Sequence, residues 1–442
     1  MAFVPKKITS SQIIVLGFLG AILIGALLLM LPFATADGKG ASFGDALFTA
    51  TSATCVTGLI VQDTATYWSY FGQAVILIMI QIGGMGVVTM AVAISVASGK
   101  KIGLMQRSTM QEAISAPKMG GIVQLTGFIL KTTAVIEFLG AVCMAPVFCR
   151  EFGLGKGIWY SVFHSVSAFC NAGFDLMGAK EKFSSLTYFI DNPLINIVIM
   201  TLIIVGGIGF LVWEDVKTNR HHFRKYRMQS KLVLITSAIL IVLPAISFFV
   251  SDFAGMPLKT RILGSIFQSV TTRTAGFNTA DLTKLGSGNT AVMIVLMLIG
   301  GSPGSTAGGM KTTTLAVLIL TAVSVFRRKE HTNFAGRSIA DSVMRNAIAI
   351  VTMYVALFLT GGVVITVIEK LPMMTCMFET ASAIGTVGLT LGITPSLGMV
   401  SRIILIFLMY IGRVGGLTLI FSALTTNQSN MARLPQEKLT VG

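Results

Sequence analysis

A four-residue phrase centred on glycine occurs four times in the chain. Its copies are Val56-Thr57-Gly58-Leu59, Asn171-Ala172-Gly173-Phe174, Thr274-Ala275-Gly276-Phe277 and Thr386-Val387-Gly388-Leu389. Glycine adopts backbone angles that other residues tolerate poorly, so successive carbonyl groups can point the same way. Carbonyl oxygens gathered around one axis can replace the hydration shell of a cation. The first three residues of each phrase are therefore predicted to form a cation filter.

Each phrase follows a short apolar segment and precedes a long one. The short segments are residues 43–54, 157–169, 261–271 and 373–383. A helix of this length covers ~18 Å, about half of the hydrocarbon core, so it can enter a bilayer and return but not cross it. Its C-terminal end carries partial negative charge, which favours cations at the point where the chain turns. We therefore expect a half-helix before each phrase.

The spacing of the phrases divides the chain into four similar units. The four glycines are 115, 103 and 112 residues apart, and we take the units as residues 1–110, 111–225, 226–338 and 339–442. A second glycine follows each phrase within the next long apolar segment, at Gly83, Gly206, Gly300 and Gly412. These glycines predict close packing of an inner helix. The second unit has a longer gap because of an insertion, residues 175–192.

Composition places these units in a membrane. Hydrophobic residues make up 53% of the 442 residues and charged ones only 12%, against roughly 25% charged in soluble proteins. Long apolar runs occupy residues 13–32, 74–97, 194–213, 232–250, 347–367 and 403–424, and two interrupted runs occupy residues 122–148 and 291–326. Each is about long enough to cross a bilayer. The predicted fold is an all-α polytopic membrane protein of eight spans, with four repeats of helix, re-entrant half-helix with filter loop, and helix around a pseudo-fourfold pore.

The net charge of +15 is concentrated in the connections between alternate spans; residues 217–231 hold six lysines and arginines, and residues 327–345 hold five. This distribution predicts cytoplasmic basic loops and places both termini in the cytoplasm. It removes the need for a nucleic-acid partner. A docking surface for a cytoplasmic protein remains open.

The inner segment of the third unit differs from the others. Residues 300–310 are rich in glycine, serine and proline where the middle of a span should lie, and cannot continue an apolar helix without strain. One interpretation is a kink packed against a neighbour. We favour a loop that obstructs the path below the filter and acts as a gate, because irregular backbone at this depth must line a cavity or be buried in protein. The gate residues are Gly300, Gly301, Ser302, Gly304, Ser305, Thr306, Gly308 and Gly309.

Arg413 directly follows Gly412, at the depth of this loop. A charge inside a span is costly and usually functional or paired. We expect its guanidinium to donate to the loop carbonyls or to repel cations, and we count it with the gate. Lys131 and Glu137 lie in the second unit's first span and can pair with each other or with neighbours.

Four further polar residues adjoin the predicted filter loops. A marker phenylalanine recurs in the four short segments, at Phe48, Phe163, Phe267 and Phe378. His164, Gln268 and Glu379 directly follow three of these phenylalanines, and we expect them to anchor the half-helices by hydrogen bonds. Glu379 could equally attract cations at the mouth. Arg273 is predicted to brace the third loop from behind.

No constellation of histidine, acid or serine residues suggests an enzyme, and the five cysteines show no metal-ligand spacing.

The main alternative to a pore is a sodium-coupled secondary transporter with alternating access. Its broken helices usually come in inverted pairs, whereas these four units share one orientation.

The four phrases, with Asn278 and residues 385–390, the 300–309 loop and Arg413, resemble the Trk/Ktr/HKT superfamily of potassium transporters. The resemblance covers nearly the whole chain and is closest to the bacterial Ktr-type membrane subunit, although the loop sequence is somewhat Trk-like.

The resemblance implies potassium as the transported ion, in a bacterial plasma membrane, with sodium stimulating or coupling the uptake. It implies a homodimer with one pore per subunit, in which residues 436–442 take part. It also implies a cytoplasmic ring of regulatory subunits that carries the nucleotide. Glycine at position 58, where some sodium-permeable relatives have serine, fits the potassium pattern.

Overall fold

The computed structural model describes residues 8–97, 102–114 and 121–423. The first half holds α1 Ser10–Leu29, α2 Phe43–Thr54, α3 Thr64–Tyr67, α4 Tyr70–Met85, α5 Val87–Ala97, α6 Leu104–Ile114, α7 Ile122–Phe152, α8 Leu154–Phe169, α9 Pro193–Gly207 and α10 Phe210–Asn219. The second half holds α11 Met228–Val250, α12 Leu258–Thr271, α13 Ser287–Leu298, α14 Thr312–Phe326, α15 Asp341–Glu369, α16 Met373–Gly385, α17 Met399–Val414 and α18 Gly416–Ala423. A two-stranded antiparallel hairpin, β1 Asn333–Phe334 and β2 Arg337–Ser338, joins α14 to α15. The predicted tail contact at 436–442 lies outside the described residues.

Four outer helices are long and apolar enough to cross a membrane, namely α1, α7, α11 and α15. Their apolar side chains face outward; Leu27 is 62% exposed, Phe138 67% and Leu243 63%. In water such surfaces would be costly, but in a bilayer they meet lipid.

A half-helix follows each outer helix at the predicted place. These are α2, α8, α12 and α16, of 12, 16, 14 and 13 residues. Their marker phenylalanines are fully buried and hold the half-helices in the core, at Phe48, Phe163, Phe267 and Phe378.

The inner segments break in every unit, including within the apolar runs at residues 74–97 and 194–213. The chain bends by 99° between α4 and α5 and by 95° between α9 and α10. The breaks contain Gly86, Gly209 and Gly415, with φ of +85°, +97° and +89°. A positive φ ends the helix, and glycine adopts it without steric cost. In the third unit the break is longer and runs from residue 299 to 311. Counting each of those two bent pairs as one, up to six spans are recognised in the described residues; eight spans remains a prediction.

Candidate ion pathway

The four phrases close into a ring in chain order, and we call Gly58, Gly173, Gly276 and Gly388 the glycine ring. Each of these glycines faces the backbone of the next loop so closely that no side chain would fit. A methyl group added at each would lie 2.5 Å from the carbonyl oxygen of Ala172, 2.6 Å from that of Ala275, 2.3 Å from that of Val387 and 2.1 Å from that of Thr57. The fourth loop thus meets the first.

The backbone of the ring is strained in the same way in every unit. The glycines have φ of +92°, +68°, +82° and +94°, and the residues two positions earlier, Val56, Asn171, Thr274 and Thr386, have φ of +51°, +57°, +73° and +50°. A left-handed conformation costs a residue with a side chain roughly 1–2 kcal/mol. The surrounding contacts must offset this cost, and a repeated outlier of this kind marks a functional constraint.

The half-helices hold the loop N–H groups on the outside of the ring. In the first unit, the N–H of Thr57 donates to the Ser52 carbonyl at 2.8 Å and that of Gly58 to the Ser52 hydroxyl at 3.1 Å. A trans peptide places its carbonyl opposite its N–H. The carbonyls of Val56 and Thr57 therefore point away from the half-helix.

The same arrangement recurs in the other units with one variation. Ser382 repeats both contacts in the fourth unit, accepting from Val387 at 2.8 Å and from Gly388 at 3.0 Å. In the second and third units Ser167 and Thr271 also accept a loop N–H through their carbonyls, from Ala172 at 2.8 Å and from Ala275 at 3.0 Å. Their hydroxyls instead donate to the carbonyls of Phe174 and Phe277.

A cavity of about 720 Å³ opens on one side of the glycine ring and is lined by all four glycines; we call it the vestibule. Its charged lining comes from the second and third units alone, as Asp175, Glu181, Lys182, Asp252, Asp281 and Lys284. The Thr283 hydroxyl and Lys284 beside Asp281 lower the pKa of that carboxyl. The insertion forms part of the wall, since Asp175, Glu181 and Lys182 belong to it. The Leu186 N–H ties it to the third unit by donating to the Asn278 carbonyl at 2.9 Å.

The 299–311 loop lies on the opposite side of the ring. Methyl groups added at Gly308 and Gly309 would meet Thr386 Oγ1 at 2.1 Å and the Gly385 carbonyl at 2.8 Å. The loop therefore sits against the base of the fourth phrase. The gate residues predicted from the sequence all belong to this loop or, in the case of Arg413, contact it.

Hydrogen bonds tie this loop to the inner segments of the second and fourth units. The N–H of Ser302 donates to Gly207 at 3.0 Å, and that of Thr306 donates to Gly206 at 3.2 Å. On the other side the N–H of Gly309 donates to Gly412 at 3.0 Å. The glycines predicted to permit close packing thus supply the carbonyls that hold the loop.

Arg413 joins the loop to the first unit. Its guanidinium donates to the carbonyls of Thr306 and Gly83, and to that of Gly84 at 3.0 Å. A planar guanidinium with five donors is suited to bridging such carbonyls. A second cavity, of about 290 Å³, lies beyond the loop and is lined by residues that include Arg413 and Lys311.

Sequence reasoning assigned no role to Lys311, although a lysine at the end of the loop was a visible signal. Its ammonium donates to the carbonyls of Ala307 at 2.8 Å and Gly308 at 3.3 Å. Two cationic side chains, Lys311 and Arg413, therefore hold loop carbonyls away from the ring.

The other polar residues act behind the ring. His164 accepts the Leu176 N–H at 3.3 Å, and Glu379 accepts from Thr390 and from Thr394 at 3.0 Å, so both tie a half-helix to the chain beyond its phrase. Glu379 is fully buried and not among the residues that line the vestibule. Among the described residues, the side chain of Gln268 donates to the Met293 sulfur at 3.6 Å and its amide oxygen has no partner.

Arg273 lies behind the third loop and donates to Ser237 on α11 at 3.1 Å. Glu137 accepts from Gln81 at 3.3 Å. Lys131 is exposed and forms no ion pair within the described residues, so those two residues do not pair with each other.

Known proteins share this arrangement of sequence and fold. A profile of the TrkH family, described as cation transport protein, matches residues 8–433. The potassium/sodium uptake protein NtpJ of Enterococcus hirae is 39% identical over 99% of this chain and 98% of its own length. The Ktr system potassium uptake protein B of Bacillus subtilis is 39% identical over 99% of this chain and 97% of its own length.

The potassium transporter TrkH of Vibrio parahaemolyticus has a similar solved structure, with a TM-score of 0.75 over 96% of this chain and 87% of that one. Its sequence is 19% identical, so it supports the fold alone. From the family profile and the full-length relatives, the chain belongs to the TrkH family of cation transport proteins.

Proposed function

We propose that this chain is a potassium-selective uptake pore of a bacterial plasma membrane. The cation enters through the vestibule, passes the carbonyls of the glycine ring, and is gated by the 299–311 loop. The observation that carries the proposal is the closed ring of four loops, with a cavity of about 720 Å³ on one side and the loop on the other. The relatives named as potassium uptake proteins support potassium as the ion.

The ring suits a cation that sheds its water. The half-helix ends carry partial negative charge and the loop carbonyls point inward. The carbonyl oxygens can therefore replace the water oxygens of the cation's hydration shell. Filter selectivity needs the carbonyls to be held at fixed positions. The paired contacts of Ser52 and Ser382 with their loops provide this support.

The loop suits a gate because its anchors are hydrogen bonds, which break and form reversibly. Backbone hydrogen bonds to Gly206, Gly207 and Gly412 hold it below the ring, and Arg413 and Lys311 hold its carbonyls. Moving the loop breaks these bonds without unfolding a helix, and water in an open path would replace them.

The surroundings follow from the same proposal. The vestibule faces outward, and the basic loops and both termini lie in the cytoplasm. There the chain meets a regulatory subunit that carries the nucleotide, and a second copy completes a homodimer. Sodium accompanies uptake, as the name of the Enterococcus relative suggests.

The test is rubidium and sodium flux into liposomes that contain the purified protein. We expect rubidium uptake to exceed sodium uptake, and Gly58→Ser to reduce this preference because the ring then accommodates a side chain poorly. Gly288→Ala is the control, since a methyl group there meets no atom within 4 Å. Unchanged selectivity in Gly58→Ser would reject the ring as the filter. Rubidium accumulation that strictly requires a sodium gradient would favour the alternating-access transporter.

A further inference from the structure

The four half-helix ends carry different side chains, and this difference is concentrated in the third unit. The residue three positions before each ring glycine is Cys55, Cys170, Arg273 or Gly385. Two of these are small thiols with no exposed surface. At Gly385 an added methyl group would lie 2.1 Å from the Met297 carbonyl, so that position has no room for a side chain. The third unit alone places a permanent positive charge there.

This charge is poorly compensated by other side chains. Arg273 is 7% exposed; within the described residues its guanidinium forms one hydrogen bond, to the neutral hydroxyl of Ser237, and its Nε has no partner. The two half-buried cations near the ring differ, because Arg413 contacts three carbonyls and Lys311 contacts two.

The remaining compensation comes from the half-helix itself. Helix α12 ends at Thr271, and a cation beyond a helix C-terminus is stabilised by its partial negative charge. The same attraction offsets the field that this end would otherwise direct at a passing cation. Arg273 and Ala275 are two positions apart, so their Cα atoms lie within ~7 Å of each other. The guanidinium extends toward Ser237 on α11, so the charge lies farther from the ring than the Cα does, but it acts through the protein interior, where screening is weak.

We propose that Arg273 weakens cation binding at the glycine ring and thereby sets the affinity of transport. A filter must bind its ion well enough to admit it and weakly enough to release it. One cationic side chain behind one of four loops lowers the affinity without altering the carbonyl geometry. Arg273 thus acts through its charge and does not itself contact the cation. The inference rests on the proposed passage of cations through the ring.

The experiment compares variants of Arg273 and Ser237 in rubidium uptake by the full chain in liposomes. Arg273→Gln removes the charge but keeps a hydrogen-bond donor, and we expect the KM for rubidium to fall by about three- to tenfold. Arg273→Lys retains the charge and should stay near the wild-type KM. Ser237→Ala keeps the charge and removes only the hydrogen bond, so its KM should be unchanged.

A second route avoids reliance on the arginine variants if they do not fold. Ser237→Asp places a carboxylate beside Arg273 and should lower the KM as Arg273→Gln does, whereas Ser237→Asn is the neutral control of similar size. The proposal is overturned if Arg273→Gln or Ser237→Asp leaves the KM unchanged, or if Ser237→Ala changes it as Arg273→Gln does, since the arginine would then be a brace. Absence of rubidium uptake by the wild type would instead overturn the proposed function.

Discussion

The glycine ring and the 299–311 loop are adjacent layers of one molecule, built in opposite ways. In the ring the four units contribute equivalent backbone, with positive φ at matching positions and the same close approach between neighbours. In the layer below, the third unit contributes a loop and the second and fourth accept its hydrogen bonds. In the described part of the chain, Arg413 links this loop to the first unit by hydrogen bonds.

Under the proposed function, the difference follows from what a filter and a gate have to do. A cation on an axis is coordinated evenly only if its ligands are equivalent, so the ring benefits from symmetry. A gate has to pass between two arrangements, and an element that one unit supplies can move without four coordinated changes. The vestibule is asymmetric too, since its charges come from the second and third units.

The largest effect should come from breaking the ring. Gly388→Ala forces a methyl group to within 2.1 Å of the Thr57 carbonyl at a φ of +94°. We expect rubidium flux to fall about 100-fold, equivalent to ~3 kcal/mol. The equivalent change at Gly173 should be as severe, and Gly288→Ala should be silent. Normal flux in Gly388→Ala would show that the ring does not form the path.

A shortened loop should act in the opposite direction. Deletion of residues 303–305 removes the Gly304 carbonyl that accepts the Phe210 N–H at 2.7 Å, and it pulls the loop out from under the ring. We expect flux to rise about tenfold, which corresponds to ~1.4 kcal/mol. A folded deletion variant with unaltered flux would exclude an obstructing loop.

Arg413→Gln should have a smaller effect of the same sign, an increase of about threefold, because a glutamine replaces only part of the bridge between Thr306 and the first unit. Arg413→Lys separates the causes. Lysine keeps the positive charge but lacks the planar set of guanidinium donors. Flux near that of the wild type would then indicate that the residue acts by repelling cations, and flux near that of the glutamine variant would indicate loss of the bridge. Unaltered flux in Arg413→Gln would remove this residue from the gate.

The smallest effect should come from the vestibule. Lys182 is exposed, so its charge acts through water and is screened by salt. Lys182→Glu should raise uptake at low rubidium concentration by about twofold in low salt, with no effect in high salt. A change in uptake that persists in high salt would contradict this prediction. Lys182→Gln is the matched neutral variant.

Local features of the sequence predicted the half-helices, the phrases and the break in the third unit well. A run of 12 residues such as α2 is too short to span, and glycine marks the turn that follows it. The breaks at Gly86, Gly209 and Gly415 were not predicted, because apolar residues continue on both sides and a single glycine inside a helix is compatible with a straight span. Lys311 was overlooked for a related reason, since only the folded loop brings the carbonyls of Ala307 and Gly308 to its ammonium.

The sequence by itself determined the family, the four units and the positions at which the backbone has to turn, because these depend on residue type and spacing along the chain. The tertiary structure decided which carbonyl faces which glycine, which units hold the loop, and that Glu137 meets Gln81 and not Lys131. Those pairings join residues more than 50 positions apart, such as Arg413 and Gly83. They arise from packing of helices around a common axis, which no local pattern specifies.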